Sequence, residues 1–112
     1  MTAEKIGGRV METGFEMVSF EIIANAGDAR SFAFGALEAA KAGNFEEAEE
    51  LLKKSDAAAV LAHHAQTDLL VKQANGENVP VDVLMVHSQD HLMTSMLAVE
   101  LIKELITLYK NK

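Results

Sequence analysis

Two clusters of helix-breaking residues divide the chain after residue 12 into three long segments. The first cluster is Gly43-Asn44, and the second is the run from Asn75 to Pro80. Gly is the usual residue just past a helix, Asn is a good N-cap, and Pro suits a first helical turn. Each cluster therefore predicts the end of one helix and the start of the next.

The segments between these clusters carry the apolar periodicity of helices. Apolar residues recur at three- and four-residue steps from Phe15 to Ala40, which predicts the first helix. The second is predicted from Phe45 to about Ala74, and the third from between Pro80 and Leu84 to near Lys110. Because short turns make consecutive helices antiparallel neighbours, the predicted fold class is all-α, an antiparallel three-helix up-down-up bundle.

Two local features refine this prediction. Gly27 and Gly35 lie inside the first helix, where each costs about 1 kcal/mol relative to Ala, so we expect close packing or a kink near Gly27. At the start of the second helix, Asn44 and Glu47 have the spacing of a capping box.

The composition fits one helical domain over residues 13–112, preceded by a flexible lead-in over residues 1–12. Ala, Leu and Met are frequent, and the single Pro and the lack of Trp favour helices throughout. A net charge of −7 without a basic cluster argues against nucleic acid as a partner. The chain has no Cys, so disulfides and thiolate chemistry are excluded, and no apolar run long enough for membrane insertion, so we expect a cytoplasmic protein.

The third predicted helix has more apolar surface than a three-helix bundle can cover. Its apolar residues spread around roughly two-thirds of the helix circumference, far wider than the stripe of an ordinary surface helix. This surplus predicts a second interface, and we expect the chain to form an oligomer. A shifted register or a loosely packed helix end is the alternative.

Asp90 lies in the middle of this apolar arc, so we expect it to be buried. A buried carboxylate has to be neutralised, hydrogen-bonded or bound to a cation, and no Lys or Arg lies between Val81 and Glu100. Its partner must therefore come from another helix, another subunit or a metal. If copies of Asp90 converge on a symmetry axis, Mg²⁺ or another hard cation would relieve their repulsion.

The run from His87 to Thr94 adds two imidazoles to the same segment. His87, Asp90, His91 and Thr94 fall at i, i+3, i+4 and i+7, and so share one helix face. The free nitrogen lone pair of a neutral imidazole can attack a phosphoryl group, which makes His87 the candidate catalytic residue. The residues alone leave a buried, hydrogen-bonded histidine as the alternative.

Other polar residues are candidates for supporting roles. His91 could hydrogen-bond a phosphoryl group carried by His87 or orient a neighbour, and a structural role is the alternative. Gln89 is expected to be exposed, so that it meets either a partner or solvent. On the second helix, His63 and His64 point about 100° apart, which predicts that one faces the bundle and one faces solvent. His63 and Gln66 could support His87 from that helix, although a packed structural histidine is the favoured interpretation of His63.

These motifs resemble the lactose/cellobiose class of enzyme IIA, a phosphoryl carrier of the bacterial phosphoenolpyruvate-dependent sugar phosphotransferase system. The resemblance rests on the run from His87 to Thr94, on Ala26-Gly27-Asp28-Ala29-Arg30-Ser31, and on Ala62-His63 with Gln66-Thr67. It extends from about Phe15 to Tyr109.

The resemblance implies a homotrimer in which Asp90 from each chain contributes to one shared Mg²⁺. It also implies that His87 accepts a phosphoryl group, on Nε2, from the phosphocarrier HPr and passes it to a Cys of a cognate enzyme IIB. The transported sugar would be lactose, cellobiose, chitobiose or another β-glucoside.

Two other functions compete with this interpretation. One is a helical-bundle metalloprotein that uses His87, Asp90, His91 and His63 as ligands, although it lacks the paired Glu-x-x-His elements of such sites. The other is a purely structural helical oligomer, which leaves the polar cluster unexplained. The sequence has no Gly-rich phosphate loop and no dinucleotide fingerprint, so the phosphoryl donor is expected to be a protein.

Overall fold

The structure, a computed structural model, describes residues 3–6 and 9–112, with side chains from residue 14 onward. Its elements are two strands, β1 (Ala3–Ile6) and β2 (Arg9–Glu12), followed by three helices, α1 (Thr13–Lys41), α2 (Phe45–Ala74) and α3 (Val83–Lys110). The three predicted helices are confirmed. No helix in this part of the chain is long and apolar enough to cross a membrane.

The two strands fall in the segment that was predicted to be a flexible lead-in. They pair antiparallel, with Ala3 opposite Glu12 and Ile6 opposite Arg9. The sequence carries a signal for this pairing, because two glycines between short runs are typical of a two-residue hairpin loop. Met1, Thr2, Gly7 and Gly8 lie outside the described residues, so flexibility there stays a prediction.

The signals expected at the helix ends are confirmed only in part. Gly43 adopts the predicted left-handed conformation, with a φ of 84°, and ends α1. The predicted capping box is wrong, because the Asn44 side chain makes no capping hydrogen bond, while its backbone N–H donates to the Ala39 carbonyl at 2.8 Å. Asp82, which we did not identify from the sequence, caps α3 by accepting a hydrogen bond from the Met85 N–H at 2.8 Å.

Helix α1 packs closely along both α2 and α3, while α2 and α3 touch each other only sparsely. The contact faces are rich in small residues, and the fully buried ones on α1 include Ala26, Ala29, Ala33 and Ala36. Small side chains let the helix axes approach, and the resulting molecule is flat, with principal extents of 57 × 30 × 18 Å. A flat bundle of this kind leaves one side of α3 without a neighbour from its own chain.

Candidate functional site

His87 lies in the second turn of α3, and its side chain is exposed. His91 follows one turn later, and the two rings stack with their centroids 5.9 Å apart and an interplanar angle of 15°. The i, i+4 spacing places both rings on one flank of the helix, as the sequence predicted. The structure therefore brings together the two histidines that the motif singled out.

His91 is partly buried against α1 at Gly27. A Cβ atom built on Gly27 would lie 3.3 Å from Nε2 of His91, so the imidazole rests directly on the bare backbone of α1. Of the two expectations for Gly27, close packing is what the structure has. Its nearest neighbour could not be predicted from the sequence.

The surroundings of His91 favour its neutral form. Burial lowers its pKa below the ordinary value of 6.5, and the positive charges of Arg30 and His87 act in the same direction, whereas Asp90 raises it. Arg30 is a contributor that we did not single out, although it lies in one of the motifs. It is on α1, three residues after Gly27, and therefore on a neighbouring part of the same helix face.

Asp90 is exposed within the single chain, so its expected burial would have to come from contact with other copies and stays a prediction. The face of α3 that packs in the bundle lies opposite and includes Met85, Ser88, Leu92 and Ser95. The large apolar side chains surrounding Asp90 are exposed instead. We call these residues the outer face of α3; they are Val83, Val86, Met93, Leu97, Leu101, Leu105 and Leu108. Helix α3 buries the opposite side, where Ser88 and Ser95 lie among large apolar residues such as Leu92.

Gln89 and Gln66 form a second polar contact on a different flank of α3. Gln66 Nε2 donates to Gln89 Oε1 at 2.7 Å. Gln89 is partly buried, so the expectation that it is exposed is wrong. Since Gln89 and His91 are two residues apart, their side chains point about 200° apart around the helix. The structure therefore separates the glutamine pair from the two stacked histidines.

His63 and His64 are both exposed, so the expectation that one of them faces the bundle is wrong. Ala62 and Ala65 make that contact instead, because small residues fit the close approach of α1. The interpretation of His63 as a packed structural histidine fails for the same reason.

Across the described side chains, no three His, Cys, Asp or Glu residues lie together in a way that could hold a metal ion. The four-residue metal site weighed in the sequence analysis is therefore not formed within one chain. A metal bound at Asp90 would need ligands from other copies of the protein or from water. The Asp90 carboxylate lies on an exposed face that a second copy could cover, so ligands from several copies could meet there.

Comparison with known proteins assigns the chain to a family. The model of the "PTS system, Lactose/Cellobiose specific IIA subunit" family matches residues 17–110. The lactose-specific EIIA component of Streptococcus mutans is 51% identical over 95 residues, which cover 85% of this chain and 91% of the relative. The corresponding Staphylococcus aureus protein is 46% identical, with 86% of this chain and 93% of the relative covered.

Solved structures agree with this assignment. The cellobiose-specific enzyme IIA of Bacillus anthracis has a TM-score of 0.87 at 46% identity, covering 90% of this chain and 93% of that one. The chain matched in the IIA(Chitobiose)–HPr complex of Escherichia coli has a TM-score of 0.75 at 45% identity, covering 87% of this chain and 94% of that one. This chain therefore belongs to the lactose/cellobiose-specific IIA subunit family of the phosphotransferase system.

Proposed function

We propose that this protein is a phosphoryl carrier in which His87 accepts a phosphoryl group from phospho-HPr and passes it to a Cys of a cognate enzyme IIB. The observation that carries the proposal is the exposed His87 ring, stacked on His91 near the start of α3, in a chain of the IIA family. The family neighbour described as a complex with HPr supports the choice of donor.

The transfer needs little from the protein beyond alignment. The lone pair of Nε2 of neutral His87 attacks phosphorus and the new N–P bond forms, while the bond from phosphorus to the donor breaks and its electron pair returns to HPr. In the second step the thiolate of enzyme IIB attacks phosphorus, the S–P bond forms, and the electron pair of the N–P bond returns to His87. Both steps need in-line geometry, and His87 meets that need by lying exposed on a rigid helix.

The surroundings of His87 suit both the added anion and a docking partner. The backbone amides at the start of α3 favour negative charge close to that terminus. Val83 and Val86 lie beside His87 and are 87% and 55% exposed, so they form an apolar rim. Such a rim allows HPr and enzyme IIB to dock in turn on the same surface.

We further propose that the subunit is an up-down-up bundle and that three copies assemble through the outer face of α3 from Met93 to Leu108, which leaves Val83 and Val86 free to contact the partner proteins. Assembly is supported by the many large apolar side chains of that face that are exposed to solvent in the single chain. Three copies of Asp90 would then lie near one axis, and their oxygen atoms suit Mg²⁺. The two positive charges of the ion would relieve the repulsion among the three carboxylates, and the ion would take no part in the transfer.

The carrier would serve the uptake and phosphorylation of a β-linked disaccharide from the cytoplasmic side of the membrane. The relatives named above are specific for lactose, cellobiose or chitobiose, which all fit this class.

The transfer is tested by following labelled phosphate from phosphoenolpyruvate through enzyme I and HPr to this protein, and then to enzyme IIB. The wild type should acquire label and lose it when enzyme IIB is added. His87→Gln should acquire none, and the matched control His64→Gln, which alters another exposed histidine, should behave as the wild type does. Equal labelling of His87→Gln and the wild type would refute the proposal.

A further inference from the structure

Gly27 lies at a position where most other residues would stabilise the helix more. It lies in the interior of α1, where Gly is less favourable than Ala, and positive φ values in the described chain occur only at Gly43 and Gly76. The backbone at Gly27 is therefore accessible to any residue. The reason for a glycine must lie in what a side chain would touch.

The atom that a side chain would touch is Nε2 of His91. A Cβ on Gly27 would lie 3.3 Å from it, which is closer than an ordinary van der Waals contact, so the imidazole would have to move by a few tenths of an ångström. Gly35, two turns later in the same helix, gives a useful contrast. Its Cβ would meet Cδ1 of Leu51 at 3.6 Å, which is an ordinary contact.

The ring held at Gly27 is the one that stacks on His87. Its Nε2 edge faces α1, and its flat face lies nearly parallel to the His87 ring. A displacement of His91 would therefore change the surface on which the His87 ring stacks. Arg30 lies one turn from this contact, and its charge acts on the same imidazole.

We infer that Gly27 is a positioning residue for phosphoryl transfer: its bare backbone seats His91, and the stacked His91 ring sets the orientation of the His87 imidazole. This inference rests on the function proposed for His87. Gly27 itself touches neither the phosphoryl group nor the partner proteins. Its contribution is to the angle at which Nε2 of His87 meets phosphorus.

The first experiment compares Gly27→Ala with Gly35→Ala. Both changes improve helix propensity by the same amount at interior positions of α1, so both variants should fold and be at least as stable to heat as the wild type. We expect Gly27→Ala to accept phosphoryl from saturating phospho-HPr about three- to tenfold more slowly, because small misalignments are costly for in-line transfer. The apparent KM for phospho-HPr should stay unchanged, and Gly35→Ala should match the wild type.

A spectroscopic measurement separates positioning from general structural damage. In Gly27→Ala, the ring resonances of both His87 and His91 should shift relative to the wild type without any donor present. In Gly35→Ala these ring signals should stay in place. Unmoved His87 and His91 signals in Gly27→Ala would overturn the inference.

A double-mutant cycle tests whether Gly27 acts through His91. Once His91→Ala removes the imidazole, adding Gly27→Ala should slow transfer no further. An equal loss of rate in both backgrounds would overturn the inference, as would a wild-type rate for Gly27→Ala alone. Failure of the proposed function looks different, because the wild type itself would then take up no phosphoryl group.

Discussion

Truncating Leu101 tests whether the outer face of α3 is an assembly interface. Leu101 is 55% exposed in the single chain, so assembly would bury about half of a leucine side chain per copy. Full burial of such a side chain contributes about 1.5–3 kcal/mol, so this half contributes about 1 kcal/mol. Three copies of Leu101→Ala therefore remove about 3 kcal/mol from a trimer, which lowers its association constant about a hundredfold.

The matched control for this change is Leu61→Ala. Leu61 lies on α2 and is 54% exposed, nearly the same as Leu101, but it is not part of the outer face of α3. Sedimentation velocity over a concentration series measures the association of both variants, and circular dichroism checks that each is folded. Leu101→Ala should need a far higher concentration to associate, while Leu61→Ala should follow the wild type. A monomeric wild type, or equal association of the two variants, would refute the reasoning.

Three further predictions concern the metal, the pKa of His91 and the buried serines. Asp90→Leu removes both the repulsion between carboxylates and the ligand for the metal. Equilibrium dialysis should find Mg²⁺ binding lost, while sedimentation should still find the trimer. Dissociation into monomers would show that the ion holds the assembly together. In metal-free buffer, an NMR titration should place the pKa of His91 below 6.5, and Arg30→Gln should raise that pKa. Because the folded state favours the neutral imidazole, the contribution of His91 to the free energy of unfolding is present above pH 6.5 and is lost as the pH falls below it. Ser55 Oγ donates to a buried carbonyl of α1 at 2.7 Å, whereas Ser95 Oγ has no hydrogen-bond partner within the described chain. Denaturant unfolding should therefore find Ser55→Ala destabilised by about 1 kcal/mol and Ser95→Ala unchanged or more stable.

The helices could be predicted from the sequence because their limits depend on local chemistry. The clusters at Gly43-Asn44 and from Asn75 to Pro80 end helices through backbone preferences that act within a few residues. The limits of α2 are those predicted, and α3 begins inside the predicted window. That His87 and His91 share one helix face likewise follows from their i, i+4 spacing.

The face that each helix buries could not be predicted in the same way. Helix α3 has apolar residues on most of its circumference, and periodicity does not distinguish a face that packs in the bundle from one that packs between copies. The buried face of α3 includes Ser88 and Ser95 beside larger residues such as Leu92, while Leu97 stays outside. On α2, the small residues Ala62 and Ala65 face the bundle, and His63 is left exposed.

The contact between Gly27 and His91 joins residues that are far apart in the chain, so no local pattern could reveal it. The only signal was an unfavourable glycine inside a helix. That signal predicted close packing without naming the neighbour. The functional roles of His87, Gln89, Asp90, His91, His63 and Gln66 stay predictions.

The most direct test of the carrier function is to locate the phosphoryl group by mass. The protein is incubated with phosphoenolpyruvate, enzyme I and HPr, its intact mass is measured, and peptides are mapped under alkaline conditions that preserve phosphohistidine. The account predicts a single acid-labile phosphoryl adduct per chain, located on His87 and missing from His87→Gln. An adduct on His63, His64 or His91, or no adduct when enzyme I and HPr are shown to be active, would contradict it.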